Sequence, residues 1–238
     1  MNSGSGGVMK KNKNYCPICD DFFHFNVYGI SNRVNAECTN CGSLERHRLL
    51  WMFLHKKLKI ENYKGTNKSL LHIAPENCFN NIFTKIFGEK YLTADLNSPD
   101  VKEKMDITNI QHGDNTFDFI ICNHVLEHIV DDIKALEELY RVLKNIGWLI
   151  LTVPIKREKT KENFLIQTEN ERLVVFGQSD HVRIYGKDFI RRLSSVNFYV
   201  TAIKANDFIT DTECNKMSCP NDKTLFFCTK KRNLKYDS

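Results

Sequence analysis

The sequence predicts an α/β domain built on a Rossmann-like, mainly parallel sheet with helices on both faces, preceded by a small N-terminal module. Residues 117–154 have the pattern of a buried strand, an amphipathic helix and a second buried strand, which is one βαβ unit. The same order of strand, helix and strand is indicated over 69–95. Two closely spaced cysteine pairs lie upstream of both units and mark the small module.

The length and composition fit a globular protein. The chain has 238 residues with 42% hydrophobic content, enough for one full domain and a small appendage. Its start is rich in Gly, Ser, Lys and Asn, and no run approaches the roughly 18 uncharged apolar residues of a membrane span. We therefore expect a cytoplasmic protein with no signal peptide and no membrane partner, and a flexible N-terminus over 1–14.

Positive charge is concentrated at the front of the chain. The formal net charge is +5, and residues 1–68 hold 11 Lys or Arg against 5 Asp or Glu. Such a module can attract nucleic acid or an anionic metabolite. A solvated, Lys-rich surface is an equal alternative.

The cysteine pairs have the spacing of a structural zinc site over 15–45. Two C-x2-C pairs are separated by 18 residues, and a glycine after the second pair permits a tight bend. Four thiolates close a tetrahedron and leave no position for water, so the ion would hold structure. Two disulfides are the alternative, which a cytosolic setting disfavours. The predicted ligands are Cys16, Cys19, Cys38 and Cys41.

The other five cysteines show no second ligand-like pairing, and most are expected to be buried apolar side chains. A second metal or a disulfide at Cys214 and Cys219 is the minor alternative. The five are Cys78, Cys122, Cys214, Cys219 and Cys228.

A connecting helix and linker are expected over 46–66. Ser43 is a plausible N-cap, and an apolar face follows it. Arg46, His47 and Arg48 either line a cleft of the main domain or cap and pair charges at the helix start. The main domain is expected over 67–232.

Two short apolar runs indicate the first strands of that domain, at 69–74 and 91–95, with a helix over 79–87 between them. In the later βαβ unit, strands are expected at 119–122 and 148–151. Asp131 and Asp132 suit the first turn of the intervening helix and Arg141 and Lys144 its end, with Gly147 as the stop.

In open α/β sheets, ligands bind at the carboxyl ends of the strands. The candidate site therefore lies around Asn123, His124 and Pro154.

Three segments of this unit resemble class I methyltransferases that use S-adenosylmethionine: NHVLEH at 123–128, ALEELYRVLK at 135–144 and GWLILTVP at 147–154. The resemblance extends more weakly over 68–230. It implies a seven-stranded class I methyltransferase sheet, with a helix at 187–193, a strand at 198–203 and a last, antiparallel strand at 225–229. The C-P-x-C and C-x-x-C-G-S-x-x-R-H-R arrangement resembles bacterial methyltransferases with an N-terminal zinc ribbon.

The resemblance also implies where S-adenosylmethionine binds. Asp95, with Leu96 beside it, ends the second strand, where a carboxylate accepts hydrogen bonds from both ribose hydroxyls. Asp106 and Ile107 are expected near the adenine, and Asn123 and His124 near the sulfonium.

The first loop departs from the family pattern, because it contains His72, Ala74, Pro75 and Glu76 in place of an acid and glycines. Either Ala74 and Pro75 form a compatible bend or the pocket is altered. Glu76 either binds the ammonium of the cofactor or only begins the next helix. His72 is expected to line the pocket.

Methyl transfer to a hydroxyl or a protonated amine needs a base, and histidine suits that role near neutral pH. His128 and His181 are the catalytic candidates. Asp180 or Asp188 is expected to orient His181, and Arg183 or Tyr185 to grip an anionic or sugar-like group. A structural role for either histidine is the alternative.

The sequence thus predicts a methyltransferase for a small-molecule acceptor, such as a hydroxyl of a sugar-like metabolite. An RNA (rRNA) methyltransferase is the second hypothesis; it requires Lys10, Lys11, Lys13, Arg33, Arg46 and Arg48 to form one face leading to the cleft. A non-catalytic module that binds the cofactor, or nothing, is the third, because the first loop lacks glycine.

Overall fold

The structure is a computed structural model, and it describes residues 13–220 and 224–232. Residues 1–12 of the predicted flexible N-terminus, and with them Lys10 and Lys11, lie outside the described residues. Among the described residues no helix is long and apolar enough to cross a membrane.

Two small hairpins form the N-terminal module. Strand β1 (Asn14–Cys16) pairs antiparallel with β2 (Asp21–Phe23), and β3 (Phe25–Tyr28) pairs antiparallel with β4 (Arg33–Cys38). Helix α1 (Glu45–Lys56) and a 3-10 turn (Ile60–Tyr63) then lead into the main domain.

The main domain alternates strands and helices along the chain. The first half contains β5 (Leu70–Ile73), α2 (Asn77–Phe87), β6 (Tyr91–Asp95), β7 (Glu103–Lys104), β8 (Phe117–Asn123), α3 (Asp132–Val142) and β9 (Leu143–Thr152). The second half contains β10 (Ile155–Arg157), β11 (Lys161–Glu162), α4 (Glu169–Phe176), β12 (Arg183–Gly186), α5 (Phe189–Ser195), β13 (Tyr199–Lys204), α6 (Asp211–Met217) and β14 (Thr224–Thr229). Further 3-10 turns lie at Gly88–Lys90, Leu126–His128 and Ala205–Asp207.

Seven of these strands form the central sheet in the order β13-β14-β9-β8-β5-β6-β7. Strands β5 to β9 are parallel to one another, and β14 is antiparallel to both β9 and β13. The predicted seven-stranded sheet with its antiparallel last strand is confirmed. The three-stranded sheet β10-β12-β11 is a separate addition within the segment after β9.

Helices cover both faces of the sheet, as expected. On one face α1, α2 and α6 pack against Phe119 and Trp148, whose rings stack at 4.5 Å between centroids. On the other face α3 and α5 contribute Leu136, Leu139 and Phe189 to a second core. The strands buried between the two cores carry continuous apolar side chains, which is why their sequence shows no alternation.

The start of α1 differs from the prediction. Leu44 occupies the N-cap position, and its backbone N–H donates to Nδ1 of His47 at 3.1 Å. Ser43 lies one residue earlier, with its hydroxyl 3.4 Å from the Cys16 thiol. Ser43 therefore belongs to the cysteine cluster and is not the helix cap.

The end of α3 differs as well. The helix finishes at Val142, and Lys144 and Gly147 already lie in β9. A Cβ added at position 147 would stand 2.4 Å from the backbone oxygen of Asp118 on the neighbouring strand. Gly147 is therefore required by close strand packing and not as a helix stop.

Candidate functional site

The loop after β5 takes the bend that glycine usually provides. Ala74 has a φ of +46°, in the left-handed region, and its N–H donates to the carbonyl oxygen of Ala94 at 2.8 Å. An L-residue with a Cβ pays about 1–2 kcal/mol for this conformation. The backbone thus turns sharply at the tip of β5 even without glycine, and the compatibility of this bend with the cofactor stays a prediction.

Glu76 stands directly above this bend and joins two strand tips. Its Oε2 accepts a hydrogen bond from Nε2 of His72 at 2.6 Å, and its Oε1 accepts from Nδ2 of Asn123 at 3.2 Å. Burial alone raises the pKa of Glu76, but His72, His47 and Arg46 together lower it to about 2. The site therefore presents a carboxylate at neutral pH.

His72 is fully buried behind this carboxylate. Its Nδ1 lies 2.9 Å from the hydroxyl of Tyr91, which in turn donates to Oδ1 of Asn80 at 3.0 Å. His72 thus orients Glu76 from below, and its predicted contact with cofactor stays a prediction.

Residues at the beginning of α1 lie near the carboxylate of Glu76. Nε2 of His47 lies 3.8 Å from Oε1 of Glu76, and Nε of Arg46 is buried without a hydrogen-bond partner in the described residues. Burial lowers the pKa of Arg46, while the charge of Glu76 opposes that effect. His47 therefore lies beside the carboxylate of Glu76, and Arg46 is near enough for its charge to interact with that carboxylate.

Arg48 does not. It is fully buried, and its guanidinium donates to the carbonyl oxygens of Ala36 at 3.0 Å, Ser43 at 2.6 Å and Met217 at 2.9 Å. It also lies 4.2 Å from the ring centroid of Phe25. Arg48 ties the N-terminal module to the main domain, so it is not a cleft residue.

The acidic residues predicted for the cofactor lie at or just beyond strand ends. Oδ1 of Asp95, at the tip of β6, accepts from the N–H groups of Asn97 and Ser98, each at 2.7 Å, which orders the loop containing Leu96. Asp106 is exposed, and its Oδ1 accepts from Thr108. Ile107 is buried in the core, so its side chain alone offers no exposed surface to an adenine ring. These roles stay predictions.

The tip of β8 completes the cleft. Asn123 is buried, with its Oδ1 accepting from the Thr152 hydroxyl at 3.0 Å, which leaves its Nδ2 for Glu76. His124 follows with a φ of +53° and a half-buried ring whose Nδ1 lies 3.2 Å from Oε1 of Glu127.

A second group of side chains lies beside His124. The rings of His128 and His181 meet edge to face with centroids 4.7 Å apart. Burial lowers the pKa of His181 below its ordinary value, and the neighbouring His128 adds to this. Glu127, His128 and His181 can all direct donor atoms within 4.8 Å of one another. The two histidines predicted from the sequence are thus in contact.

Their predicted orienting partners are different. Asp180 faces His128 and not His181, with Oδ2 of Asp180 3.2 Å from Nδ1 of His128. Asp188 accepts from the N–H and the hydroxyl of Thr160, each at 2.8 Å. Neither carboxylate therefore orients His181.

Arg183 and Tyr185 are not free to grip a substrate. Arg183 is fully buried and donates to the carbonyl oxygens of Leu126 at 3.0 Å and Val130 at 2.7 Å. The Tyr185 hydroxyl donates to Oδ2 of Asp132 at 2.6 Å. Both side chains fix the turn that carries Glu127 and His128.

Glu127 is not among the site residues predicted from the sequence, although it lies between Leu126 and the predicted residue His128. Its side chain is buried, and Oε2 has no hydrogen-bond partner in the described residues. The signal in the sequence that points to Glu127 is an acidic residue directly after two apolar residues, close to the end of a strand.

The four predicted cysteines come together in the N-terminal module, with their sulfurs within 4.8 Å of one another. A hydrogen bond from the Cys41 thiol lowers the pKa of Cys16 to about 4. Asn40 donates to Sγ of Cys19 at 3.3 Å. All nine cysteines of the chain are free thiols in this structure, and Cys214 and Cys219 are buried in the core.

Comparisons with known proteins agree with this architecture. Residues 70–151 match the family described as a methyltransferase domain. An uncharacterized protein of Methanocaldococcus jannaschii is 45% identical over 85 residues, which are 33% of this chain and 37% of that protein. The matched part thus spans little more than a third of the relative's length.

Solved structures share the fold at low sequence identity. An S-adenosylmethionine-dependent methyltransferase from Archaeoglobus fulgidus has a TM-score of 0.50 at 12% identity, covering 78% of this chain and 94% of that one. A second, described as a putative sarcosine dimethylglycine methyltransferase from Galdieria sulphuraria, has a TM-score of 0.50 at 13% identity, covering 78% of this chain and 87% of that one. Residues 70–151 thus match a methyltransferase domain, and the strand order of the central sheet is that of the class I methyltransferase fold.

Proposed function

We propose that this class I methyltransferase domain transfers the methyl group of S-adenosylmethionine to a small-molecule acceptor, a hydroxyl of a sugar-like or related metabolite. The observation that carries the proposal is the ionised Glu76, which is hydrogen-bonded to His72 and Asn123 at the tips of β5 and β8 and lies near enough to Arg46 for their charges to interact. A carboxylate and a neighbouring guanidinium match the two charges of an amino-acid zwitterion.

The residues present fit the cofactor. Glu76 would accept hydrogen bonds from its ammonium, and the partner-free Nε of Arg46 is placed for its carboxylate. Asp95 is assigned to the ribose and Asp106 with Ile107 to the adenine, while Ala74, Pro75, Leu96, Asn123 and His124 line the path between them. S-adenosylmethionine supplies an electrophilic methyl group on a sulfonium, so the protein's main task is to position the acceptor.

The acceptor is assigned to the side of the cleft beyond His124. There His181 is neutral near pH 7, because burial lowers its pKa, and a neutral imidazole can take the proton of a hydroxyl. Replacement of His181 by Ala is expected to lower turnover far more than cofactor affinity.

A small acceptor is favoured over RNA by the placement of the basic residues. Arg48 is fully buried, Arg46 is only partly exposed, and Arg33 lies 3.6 Å from Glu45. These three residues therefore do not form the continuous basic face that binding of an RNA backbone requires.

The N-terminal cysteine cluster is proposed to hold one structural zinc ion. Four sulfurs within one small volume match the closed tetrahedral donor set of such sites. Arg48 is hydrogen-bonded to this module and lies at the start of α1, so an ordered module also fixes the position of Arg46 on that helix.

The test is a methyl-transfer screen with labelled S-adenosylmethionine against separate small-molecule and RNA fractions of a cell extract. We expect label in the small-molecule fraction, and loss of that label with the Glu76→Gln variant. Label in RNA would mean that the acceptor is RNA and not a small molecule. Failure to bind S-adenosylmethionine or its demethylated product at millimolar concentration would refute the proposed activity.

A further inference from the structure

Glu127, His128 and His181 converge beside the cofactor cleft. The first two lie in the 3-10 turn after β8, and the third precedes β12, yet their donor atoms lie within 4.8 Å of one another. Small side-chain rotations would bring all three to roughly 2.0–2.2 Å from one ion.

The carboxylate of Glu127 is buried without full compensation. The residue is 2% exposed, and Oε2 has no hydrogen-bond partner in the described residues. Leaving such an acceptor unsatisfied costs about 1–3 kcal/mol, and more for a charged group. A bound cation would remove this cost.

The two imidazoles are prepared as ligands. The carbonyl and the carboxylate of Asp180 both face Nδ1 of His128, at 3.3 and 3.2 Å. Both groups only accept, so Nδ1 must donate and Nε2 is left for an ion, as in the carboxylate–histidine pairs behind many metal sites. His181 is buried beside His128, and the two rings meet edge to face with centroids 4.7 Å apart.

The frame around the three residues is rigid. The N–H of Val182 donates to the carbonyl oxygen of Glu127 at 2.9 Å, and Arg183 donates to the carbonyl oxygens on both sides of the turn. Pre-positioned ligands reduce the cost of binding an ion.

We propose that Glu127, His128 and His181 bind a divalent transition-metal cation. Two imidazoles and one carboxylate suit such ions and leave coordination positions open for oxygen atoms of a hydroxylated acceptor. The chain of contacts from Glu76 through Asn123 and His124 to Glu127 places this ion next to the cofactor cleft.

The role of the ion deepens the proposed function and rests on it, whereas the binding of the ion does not. The ion lowers the pKa of a coordinated acceptor hydroxyl, whose proton passes to solvent water. The new oxygen–carbon bond then forms as the bond between sulfur and methyl breaks. In this form His181 holds the ion instead of taking the proton itself.

The experiment is a titration of Co²⁺ into full-length, zinc-loaded protein, followed by isothermal calorimetry, elemental analysis and visible spectroscopy. We expect about one Co²⁺ per chain in addition to the zinc, without the intense thiolate-to-cobalt charge-transfer band that exchange into the cysteine cluster would produce. The variants Glu127→Gln and His181→Gln should each weaken this binding at least tenfold, whereas the control Glu137→Gln, on the exposed face of α3, should not.

Binding of S-adenosylhomocysteine, measured on the same variants, reports whether they remain folded. Retained cofactor binding with lost Co²⁺ binding supports the proposal. A wild-type protein that takes up no ion beyond the cysteine site, or a second ion that persists in both variants, overturns it. Metal uptake without any cofactor binding would refute the proposed function and leave the metal site standing.

Discussion

Single residues set the character of the cleft. Ala74 adopts a left-handed conformation that glycine usually supplies, and Glu76, two residues later, provides a carboxylate held by His72 and Asn123. A loop without glycine thus has both a sharp bend and a negative charge, which are the two features that the proposed cofactor site requires. The charge comes from a different position along the loop.

Replacement of Glu76 by Gln removes the charge with little change in shape. We expect the affinity for S-adenosylhomocysteine, measured by isothermal calorimetry, to fall roughly 10- to 100-fold, the range for loss of a charged hydrogen bond. The exposed Glu89→Gln is the matched control and should bind as the wild type does. Equal affinity of both variants would exclude Glu76 as a ligand.

His47 makes stability depend on pH. Burial lowers its pKa to about 3, so the folded protein keeps the ring neutral while the unfolded chain protonates it near pH 6.5. The unfolded state therefore binds more protons below that pH, and the free energy of unfolding falls as the pH falls.

Between pH 7 and pH 5 the wild type should lose about 1–2 kcal/mol more unfolding free energy than a His47→Asn variant, as measured by urea denaturation at each pH. The exposed His24→Gln variant should follow the wild type. Parallel curves for wild type and His47→Asn would contradict a buried neutral ring.

Elements of the sheet are held in register by close backbone contacts. The sharpest is at Gly147 in β9, where a methyl group would meet the Asp118 carbonyl on β8 at 2.4 Å. Helix α3 ends so close to β9 that no loop separates them, and the strand must therefore start in contact with its neighbour.

Replacement of Gly147 by Ala should lower the free energy of unfolding by about 2–3 kcal/mol, because the strands must separate to accommodate the methyl group. In Gly113→Ala the nearest atom to the new Cβ is 4.0 Å away, so this variant is the control. Urea denaturation of the two variants provides the measurement, and similar midpoints would show that β8 and β9 are less tightly packed than described.

Strands were predictable from sequence where both faces are buried. The apolar runs around Phe119–Cys122 and Trp148–Leu151 need no neighbour to be recognised, and parallel strands place Asp95 and Asn123 at one edge. The additional sheet within 155–186 could not be predicted, because its short strands carry no period. The positions of His47 and Arg46 near Glu76 depend on how α1 packs on the main domain, which no local pattern encodes.

At the scale of the whole molecule, the buried guanidinium of Arg48 joins the N-terminal module to the main domain. Arg48 contacts carbonyl oxygens from both parts, and the helix that carries it also carries Arg46 and His47 to the cleft. Helix α1, which follows the module, therefore forms a wall of the proposed cofactor site.

The Arg48→Ala variant should lose about 3 kcal/mol of unfolding free energy, since at least three carbonyl groups lose their donor. It should also release zinc to a chelator faster than the wild type. The exposed Arg191→Ala should change neither quantity. A variant as stable as wild type would mean that the two parts are joined by other contacts.

The central claim is that the strand tips and the start of α1 hold the amino-acid end of S-adenosylmethionine between Glu76 and Arg46. The most direct measurement compares the affinity of the wild-type protein for S-adenosylhomocysteine with that for 5′-methylthioadenosine, which lacks the amino acid. We predict that S-adenosylhomocysteine binds at least about tenfold more tightly, as expected for charged hydrogen bonds to the missing groups. Equal affinities, or no binding of S-adenosylhomocysteine at all, would contradict the account.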